Sequence, residues 1–276
     1  MAIKIDNFAL IIGSMKCGTT SLFYYLSQHP QVAVCKIKEP NFFASEQNWS
    51  KGFNYYQNLW HWHPDTHKTA LEASTHYTQI PRLPNAAEKI AQIKADFKFI
   101  YIMRNPIERI ESHYTHGKQS RWSETKQAIE YGIHQDLIDI SRYARQLDEY
   151  YKRFPSAKIL LIDFEDLKQT PLKLMKKVVR FLDLDSSFEF QELSKVYNPT
   201  SQRLIYPFWS PLIKPVAKYF PTKSKDKIRN MVCKRVGSNI QLSLEQREYI
   251  FSELREDFKK LSEEYGFEVY KWEIKN

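Results

Sequence analysis

The stretch FALIIGSMKCGTTSLFYYL, residues 8 to 26, decides the fold, because it joins an apolar run to a glycine loop and then to a helix. Gly13 and Gly18 keep the spacing of the G-x-x-x-x-G-K-[ST] loop, in which backbone N–H groups cradle phosphate oxygens. Thr19 stands where that loop has its lysine, and the lysine is three residues earlier, at Lys16. The sequence therefore predicts a phosphate-binding loop with a displaced cation.

The loop and the helix that follows it form a candidate anion site. A helix that begins near Thr19 presents the positive end of its dipole and its unpaired N–H groups to the loop. A tight turn that needs glycine only for packing has the same spacing, so that interpretation stays open. If the loop binds phosphate, its candidate ligands are Ser14, Lys16, Cys17, Gly18, Thr19, Thr20 and Ser21.

Apolar, β-rich runs alternate with helical patterns along the chain. This alternation predicts an α/β fold with a central parallel sheet flanked by helices. We predict strands at residues 8–12, 32–34, 69–73, 97–103 and 158–164, and helices at 19–28, 84–94, 106–116, 141–153, 171–182 and 244–264. Ligands of open α/β sheets bind beyond the carboxyl ends of the strands, so the residues that follow each strand are the ones to inspect.

Arg104 directly follows the fourth predicted strand, in YIMRNP. A magnesium-dependent nucleotide hydrolase has a metal-binding aspartate at such a position. A fixed cation there predicts binding of a multiply anionic nucleotide without Mg²⁺. Asn105 is the predicted N-cap of the helix that starts at Pro106, and Glu108 is predicted to complete part of a capping box.

Composition narrows the class of protein. The 276 residues are 42% hydrophobic, which is enough to bury a core, and we expect one domain over residues 1–276. The longest apolar run is far shorter than the roughly 20 residues of a membrane span, and no signal-peptide pattern precedes the loop. We therefore expect a cytoplasmic protein without stable membrane insertion. Cys17, Cys35 and Cys233 form no CxxC pair, so we expect reduced thiols and no metal site.

Residues 195–240 form a basic, aromatic segment that carries the charge imbalance of the chain. Of 41 Lys/Arg and 32 Asp/Glu in total, residues 195–235 hold ten basic residues and one acid, Asp226, which leaves 31 of each elsewhere. Several prolines argue against one continuous helix. We predict a lid over an anionic ligand, and a solvated loop or a membrane-surface or nucleic-acid patch are the alternatives.

Several motifs resemble the PAPS-dependent sulfotransferases, in the branch of heparan sulfate and bacterial small-molecule enzymes. GSMKCGTTSL resembles that family's 5′-phosphosulfate loop, YIMRNPIERIESHY its 3′-phosphate motif, and KEPNFF the segment with its catalytic glutamate. The order of later segments agrees over about residues 8 to 200 and 240 to 272. The resemblance implies a fold like the P-loop nucleotide kinases, PAPS as co-substrate, PAP as product and no metal.

The same resemblance implies roles for single residues. Lys16 falls on the lysine of the loop, Arg104 and Ser112 on the ligands of the 3′-phosphate, and Glu39 on the catalytic base. An ammonium near the bridging oxygen stabilises charge where it develops, and a guanidinium suits a phosphate. Further candidates for nucleotide binding, in YNPTSQR, are Ser201 and Arg203.

The base has a second candidate. Glu39 by sequence alone is a surface acid, and its place after a strand and the resemblance favour it. His76 follows the third predicted strand and is a rival base or a substrate contact, so the catalytic candidates are Glu39, Lys16 and His76. Phe42 and Phe43 are predicted to shield the acceptor from water.

Departures from the family favour a small acceptor. Glu72 is followed by Ala73 where the glycosaminoglycan enzymes carry a basic residue, Asn41 replaces a histidine, and Cys233 has no partner for their C-terminal disulfide. We expect a small molecule with a reactive hydroxyl or nitrogen, and a monomer or homodimer. The length is similar to natural-product tailoring enzymes such as the sulfotransferases of the saxitoxin pathway, which predicts a role in natural-product or toxin biosynthesis.

Two other functions remain open from the sequence. A magnesium-dependent nucleotide kinase would require Mg²⁺ and ATP. A non-catalytic, basic nucleic-acid-binding module would bind DNA or RNA with strong salt dependence. We expect no nucleic-acid partner.

Overall fold

The computed structural model describes residues 4–120, 133–193 and 240–272, with residues 117–120 described by their backbone alone. It also describes the backbone of two short strands, Leu204–Ile205 and Lys234–Arg235, which pair with each other antiparallel. The other residues lie outside the description.

A five-stranded parallel sheet forms the centre of the described structure. Its strands are β1 (Asn7–Gly13), β2 (Val32–Val34), β3 (Thr69–Ala73), β4 (Asp96–Met103) and β5 (Ile159–Asp163), in the order β2-β3-β1-β4-β5. The chain leaves β1 toward β2 and leaves β4 toward β5, so the topological switch point lies between β1 and β4. A crevice is expected at the carboxyl ends of these two strands. The predicted α/β fold and all five predicted strands are confirmed.

Helices connect and flank the strands. They are α1 (Thr19–Leu26), α2 (Glu46–Trp49), α3 (Gly52–Gln57), α4 (Ala86–Ala91), α5 (Pro106–Ser120), α6 (Gln135–Ser141), α7 (Tyr143–Tyr151), α8 (Phe164–Gln169), α9 (Pro171–Phe181) and α10 (Leu244–Glu263). Every predicted helix is present, although the one predicted at 141–153 starts only after Arg142, which separates α6 from α7. Among the helices of the described ranges, we find none with the length and apolarity needed to cross a bilayer.

The start of α5 follows one of the two capping predictions. The Asn105 side chain accepts a hydrogen bond from the backbone N–H of Ile107 at 2.9 Å, as an N-cap does. The capping-box prediction for Glu108 is wrong, because its carboxylate instead accepts two hydrogen bonds from the guanidinium of Arg104. The pairing of these two residues is the local contact that matters for the site.

Phe42 and Phe43 belong to the hydrophobic core. Both side chains are 0% exposed and pack against the ring of Tyr56, with ring centroids 4.5 Å and 5.1 Å away. Their contacts continue to Tyr77 and Phe97 on the same face of the sheet. The prediction that they shield the acceptor from water is therefore wrong, because neither ring has surface left to offer.

The C-terminal helix fixes the turn that follows β4. Asp257 on α10 accepts hydrogen bonds at 3.0 Å from the backbone N–H groups of Ala144 and Arg145, at the start of α7. In the same turn of α7, the hydroxyl of Tyr143 donates to the carbonyl oxygen of Arg104 at 2.8 Å. The C-terminal part of the chain thereby supports the backbone at Arg104, a residue that is predicted to bind the nucleotide.

We expect Asp257→Ala to lower the free energy of unfolding by about 1–2 kcal/mol, because two N–H groups of α7 lose their acceptor. Burial raises the pKa of Asp257 to about 6. A raised pKa means that stability present at low pH is lost as the pH rises through about 6 and the buried carboxyl ionises. The penalty of the alanine variant should therefore be larger at pH 5 than at pH 8 in urea denaturation. Asp257→Asn is the control, since it keeps one acceptor, and a penalty that grows with pH would contradict this account.

Candidate active site

The loop after β1 is held firmly over the switch point. The backbone N–H of Ser14 donates to the carbonyl of Ile102 in β4 at 2.7 Å. Lys16 has a positive φ angle of 72°, which a residue with a side chain rarely adopts, and Gly18 has a positive φ angle of 87°. A side chain at Gly18 would lie 2.9 Å from the ring of Phe164, so only glycine fits there. These contacts fix the backbone of the loop.

The side chains of the loop divide into two groups. Ser14 and Cys17 are fully buried beneath it, the Cys17 N–H is bonded to the carbonyl of Ser14, and burial raises the pKa of the Cys17 thiol. Thr19 and Ser21 are also buried, whereas Lys16 and Thr20 are half-buried. Gly18 is the N-cap of α1, so no side chain of the N-cap residue accepts a hydrogen bond from the first N–H groups of the helix. The groups best placed for an anion are these N–H groups, Lys16 and Thr20.

Arg104 meets the loop on the ring of Phe164. Its guanidinium carbon lies 4.6 Å from the centroid of that ring, which also abuts the position of Gly18. Its Nε and Nη2 donate to Oε2 of Glu108 at 2.9 Å and 2.8 Å. Ser112, half-buried on α5, follows Glu108 at a spacing of four, so these two residues lie on one face of the helix, and Arg104 meets that face through Glu108. Two motifs that are far apart in sequence thus share one site.

Glu39 lies in a loop that is fastened to the end of β3. The N–H of Asn41 donates to the hydroxyl of Ser74 at 3.0 Å, and both Glu39 and Asn41 have positive φ angles, of 60° and 51°. The ammonium of Lys38 is 2.7 Å from a carboxylate oxygen of Glu39. Sparsely populated backbone angles of this kind persist only where the surroundings enforce them, and they cluster at functional sites.

Electrostatic influence links the catalytic candidates to one another. Burial lowers the pKa of His76, the charge of Glu39 opposes this shift, and the charge of Arg82 adds to it. Burial also lowers the pKa of His113 to about 3, assisted by several cations that include Lys16 and Arg82. Arg82 acts on both imidazoles, so the surroundings of His76, with Glu39, and of His113, with Lys16, share this cation. Both imidazoles are neutral at pH 7.

Two of these residues, His113 and Arg82, were not predicted from the sequence. His113 directly follows Ser112 in the motif, which was the available signal, whereas Arg82 lies in a PRLP turn without any motif. Its position beside His76 depends on the contacts of that turn: Gln146 bonds to the N–H and the carbonyl of Ile80, at 2.8 Å and 2.9 Å. These contacts join residues 66 positions apart, so no local pattern predicts them.

Glu72 and Ala73 form the end of β3 without a basic side chain. Glu72 is fully buried and accepts a hydrogen bond from the hydroxyl of Tyr56, and burial raises its pKa. Ala73 is 1% exposed. The end of this strand therefore offers no cation to an acceptor, as the sequence indicated.

Comparison with known proteins assigns the family. The sulfotransferase domain matches residues 6–206. The chain belongs to the sulfotransferase family. The predicted family is thus confirmed. The predicted fold is confirmed as well, because the chain superposes on a sulfotransferase from Alicyclobacillus acidocaldarius with a TM-score of 0.70 and 18% sequence identity. The superposition covers 98% of this chain and 99% of the other.

The curated relatives of this sulfotransferase include heparan sulfate enzymes. It is 29% identical over 189 residues to mouse heparan sulfate glucosamine 3-O-sulfotransferase 5, covering 64% of this chain and 53% of that protein. It is 26% identical over 208 residues to the Caenorhabditis elegans bifunctional heparan sulfate N-deacetylase/N-sulfotransferase 1, covering 69% of this chain and 23% of that protein. The chain thus spans about half or less of the length of these relatives.

A cavity of about 430 Å³ lies at the opposite end of the sheet from the candidate site of this sulfotransferase. Its lining includes Asn7, Thr69 and Asp96, the first residues of β1, β3 and β4. Two of its charged residues, Lys98 and Asp183, pair with each other. None of the predicted site residues lines it, so we place the chemistry at the carboxyl ends of the strands.

Some predictions fall on parts of the sulfotransferase that the structure does not describe. Ser201 and Arg203 lie outside the described residues. So does the segment 195–240, apart from the backbone of the two short strands and of residue 240. The nucleotide-binding and lid predictions for these residues stay predictions.

Proposed function

We propose that this sulfotransferase transfers the sulfuryl group of PAPS to a hydroxyl or nitrogen of a small-molecule acceptor and releases PAP. The observation that carries the proposal is the meeting of the loop and Arg104 on the ring of Phe164. One motif offers backbone N–H groups and Lys16, and the other offers a guanidinium and Ser112. A nucleotide with separate 5′ and 3′ anions fits this pair of sites without a metal ion.

The fit of the nucleotide rests on the start of α1. The N-terminus of a helix attracts a phosphate, and the first turn of α1 carries no acidic residue to oppose it. The absence of a side chain at Gly18 lets the ring of Phe164 pack directly against the backbone of the loop. We assign the 5′-phosphosulfate to this loop and the 3′-phosphate to Arg104 and Ser112.

The reaction needs one base and one cation. The acceptor oxygen or nitrogen forms a bond to sulfur, the bond from sulfur to the bridging oxygen of the donor breaks, and the acceptor's proton passes to Glu39. Lys16 donates a hydrogen bond to the bridging oxygen and stabilises the charge that develops on it. His76, neutral at pH 7, is the alternative base.

A small acceptor is supported by the end of β3. The buried pair Glu72 and Ala73 contributes no cation at the end of the strand itself, although the charge of Arg82 acts on His76, which follows it. A tailoring step of the saxitoxin type, a cytoplasmic location and a single domain over residues 1–276 remain part of this proposal. The heparan sulfate substrates named for the relatives make a polysaccharide the competing acceptor.

The test is a transfer assay with PAPS labelled in its sulfuryl group. The panel should pair small hydroxyl and amine compounds with desulfated heparan sulfate at equal concentrations of reactive groups. We expect label in one or more small compounds. Label in the polysaccharide alone would contradict the proposed acceptor class but not the proposed donor.

We expect Arg104→Ala and Ser112→Ala to weaken the binding of PAP much more than that of ADP, which lacks the 3′-phosphate. Loss of a hydrogen bond to a charged group costs about 1.5–3 kcal/mol. Isothermal titration with both nucleotides measures the difference. Arg153→Ala, which removes an arginine paired with Glu149 away from the site, is the matched control. Equal losses for PAP and ADP would remove Arg104 and Ser112 from the 3′-phosphate.

A further inference from the structure

We propose that Glu108 competes with the 3′-phosphate for Arg104 and thereby limits the affinity of the protein for PAP. The inference rests on the proposed function, because it takes Arg104 as a ligand of that phosphate. It adds Glu108 to the nucleotide site, a residue to which the sequence motifs gave no role in binding the nucleotide. Glu108 is the residue that was predicted to cap α5 and that pairs with Arg104 instead.

The carboxylate of Glu108 occupies one complete edge of the guanidinium. Its Oε2 accepts from Nε at 2.9 Å and from Nη2 at 2.8 Å, which is the side-on edge that also suits a phosphate oxygen. One face of the guanidinium is covered by the ring of Phe164. The side chain of Arg104 is 22% exposed and that of Glu108 is 47% exposed. Arg104 is therefore neutralised on its accessible side by a carboxylate that is itself free to move into solvent.

The spacing along the chain places Glu108 between the two expected ligands. Glu108 and Ser112 lie on one face of α5 because four residues separate them, and Arg104, which precedes the helix, reaches that face through its hydrogen bonds to Glu108. A phosphate that contacts both Arg104 and Ser112 must lie against that face. The carboxylate is then displaced from Arg104 or remains beside a second anion, and both outcomes oppose binding.

The competition acts only on nucleotides with a 3′-phosphate. Binding of PAPS and release of PAP both exchange the Glu108 carboxylate for a phosphate on the same arginine. Product release limits the turnover of many enzymes, and a built-in counterion speeds that step by lowering the affinity for PAP. ADP has an uncharged hydroxyl at this position and is expected to be indifferent to the charge of residue 108.

Isothermal titration of Glu108→Gln with PAP and ADP tests the inference. Exposed or half-exposed ion pairs contribute modestly, so we expect the Kd for PAP to fall about two- to fivefold, with the Kd for ADP unchanged. Glu165→Gln is the matched control, because it also removes one negative charge, at the residue next to Phe164. The carboxylate of Glu165 accepts hydrogen bonds from Lys168 and Gln169 and not from Arg104. In an Arg104→Ala background, Glu108→Gln is expected to have no selective effect on PAP.

Each outcome of the titration decides between distinct failures. Weaker binding of PAP by Glu108→Gln, with an unchanged melting temperature, would show that Glu108 positions Arg104 and would overturn the competition. Unchanged binding, or an equal gain in Glu165→Gln, would overturn it as well. If Arg104→Ala weakens PAP and ADP equally, the proposed role of Arg104 fails first. If Arg104→Ala is selective for PAP and Glu108→Gln has no effect, the competition alone fails.

Discussion

Glu39→Gln is expected to lower turnover by about 10²- to 10⁴-fold while the affinity for PAP stays within a few fold. Glutamine keeps the shape of the side chain but cannot accept the proton, and a positioned general base contributes about this factor. The proposed nucleotide contacts lie in the loop after β1, at Arg104 and at Ser112, so the substitution should not disturb them. Steady-state kinetics with PAPS and an acceptor from the transfer assay, together with titration of PAP, measure both quantities.

His76→Gln is the matched comparison for this experiment. The charge of Glu39 acts on His76, and both residues are candidates for the base, so the two variants are compared in the same assay. If Glu39→Gln keeps near-normal turnover and His76→Gln loses most of it, His76 is the base. Comparable losses in both variants would show that the two groups act as a unit.

Lys16→Met is expected to lower turnover by about 10²- to 10³-fold, since removing one preorganised donor to a developing charge costs this much in other enzymes. Methionine keeps the length and apolar stem of the side chain. The loss should fall on turnover more than on the Michaelis constant for PAPS, because the charge on the bridging oxygen grows as the bond breaks. Lys36→Met, at an exposed lysine whose ammonium bonds to the carbonyl of Asn58, is the control.

Lys16→Arg separates charge from geometry in the same assay. An arginine keeps the charge but spreads it over a planar group, so partial recovery relative to Lys16→Met is expected. A normal rate in Lys16→Met would assign the stabilisation of the leaving group to another cation, and Arg104, which contacts Phe164 beside the loop, is the next candidate to substitute.

The sheet was predictable because its strands are buried on both faces. Parallel strands of this kind are nearly continuous apolar runs, as FKFIYIM shows in β4, and all five were found. The short helices α2, α3, α6 and α8 were not predicted, since four to seven residues are too few for a periodic pattern to emerge. Their stability comes from contacts that are distant in sequence.

The candidate site was predictable in its motifs but not in its contacts. Lys16 could be identified from its place in the glycine loop after β1, and Arg104 because it directly follows β4. Phe164 could not, because its role depends on meeting both Gly18 and Arg104 in space. Phe42 was misassigned because its position beside Glu39 says nothing about which way its ring points, and the ring packs into the core.

The most direct test of the account is isothermal titration of the protein with PAP and with ADP, each with and without Mg²⁺, and with duplex DNA. The loop and Arg104 together predict that PAP binds more tightly than ADP, that Mg²⁺ changes neither affinity, and that DNA does not bind. Equal binding of PAP and ADP that requires Mg²⁺ would contradict the account and favour a nucleotide kinase, and salt-dependent binding of DNA without PAP would favour a nucleic-acid module.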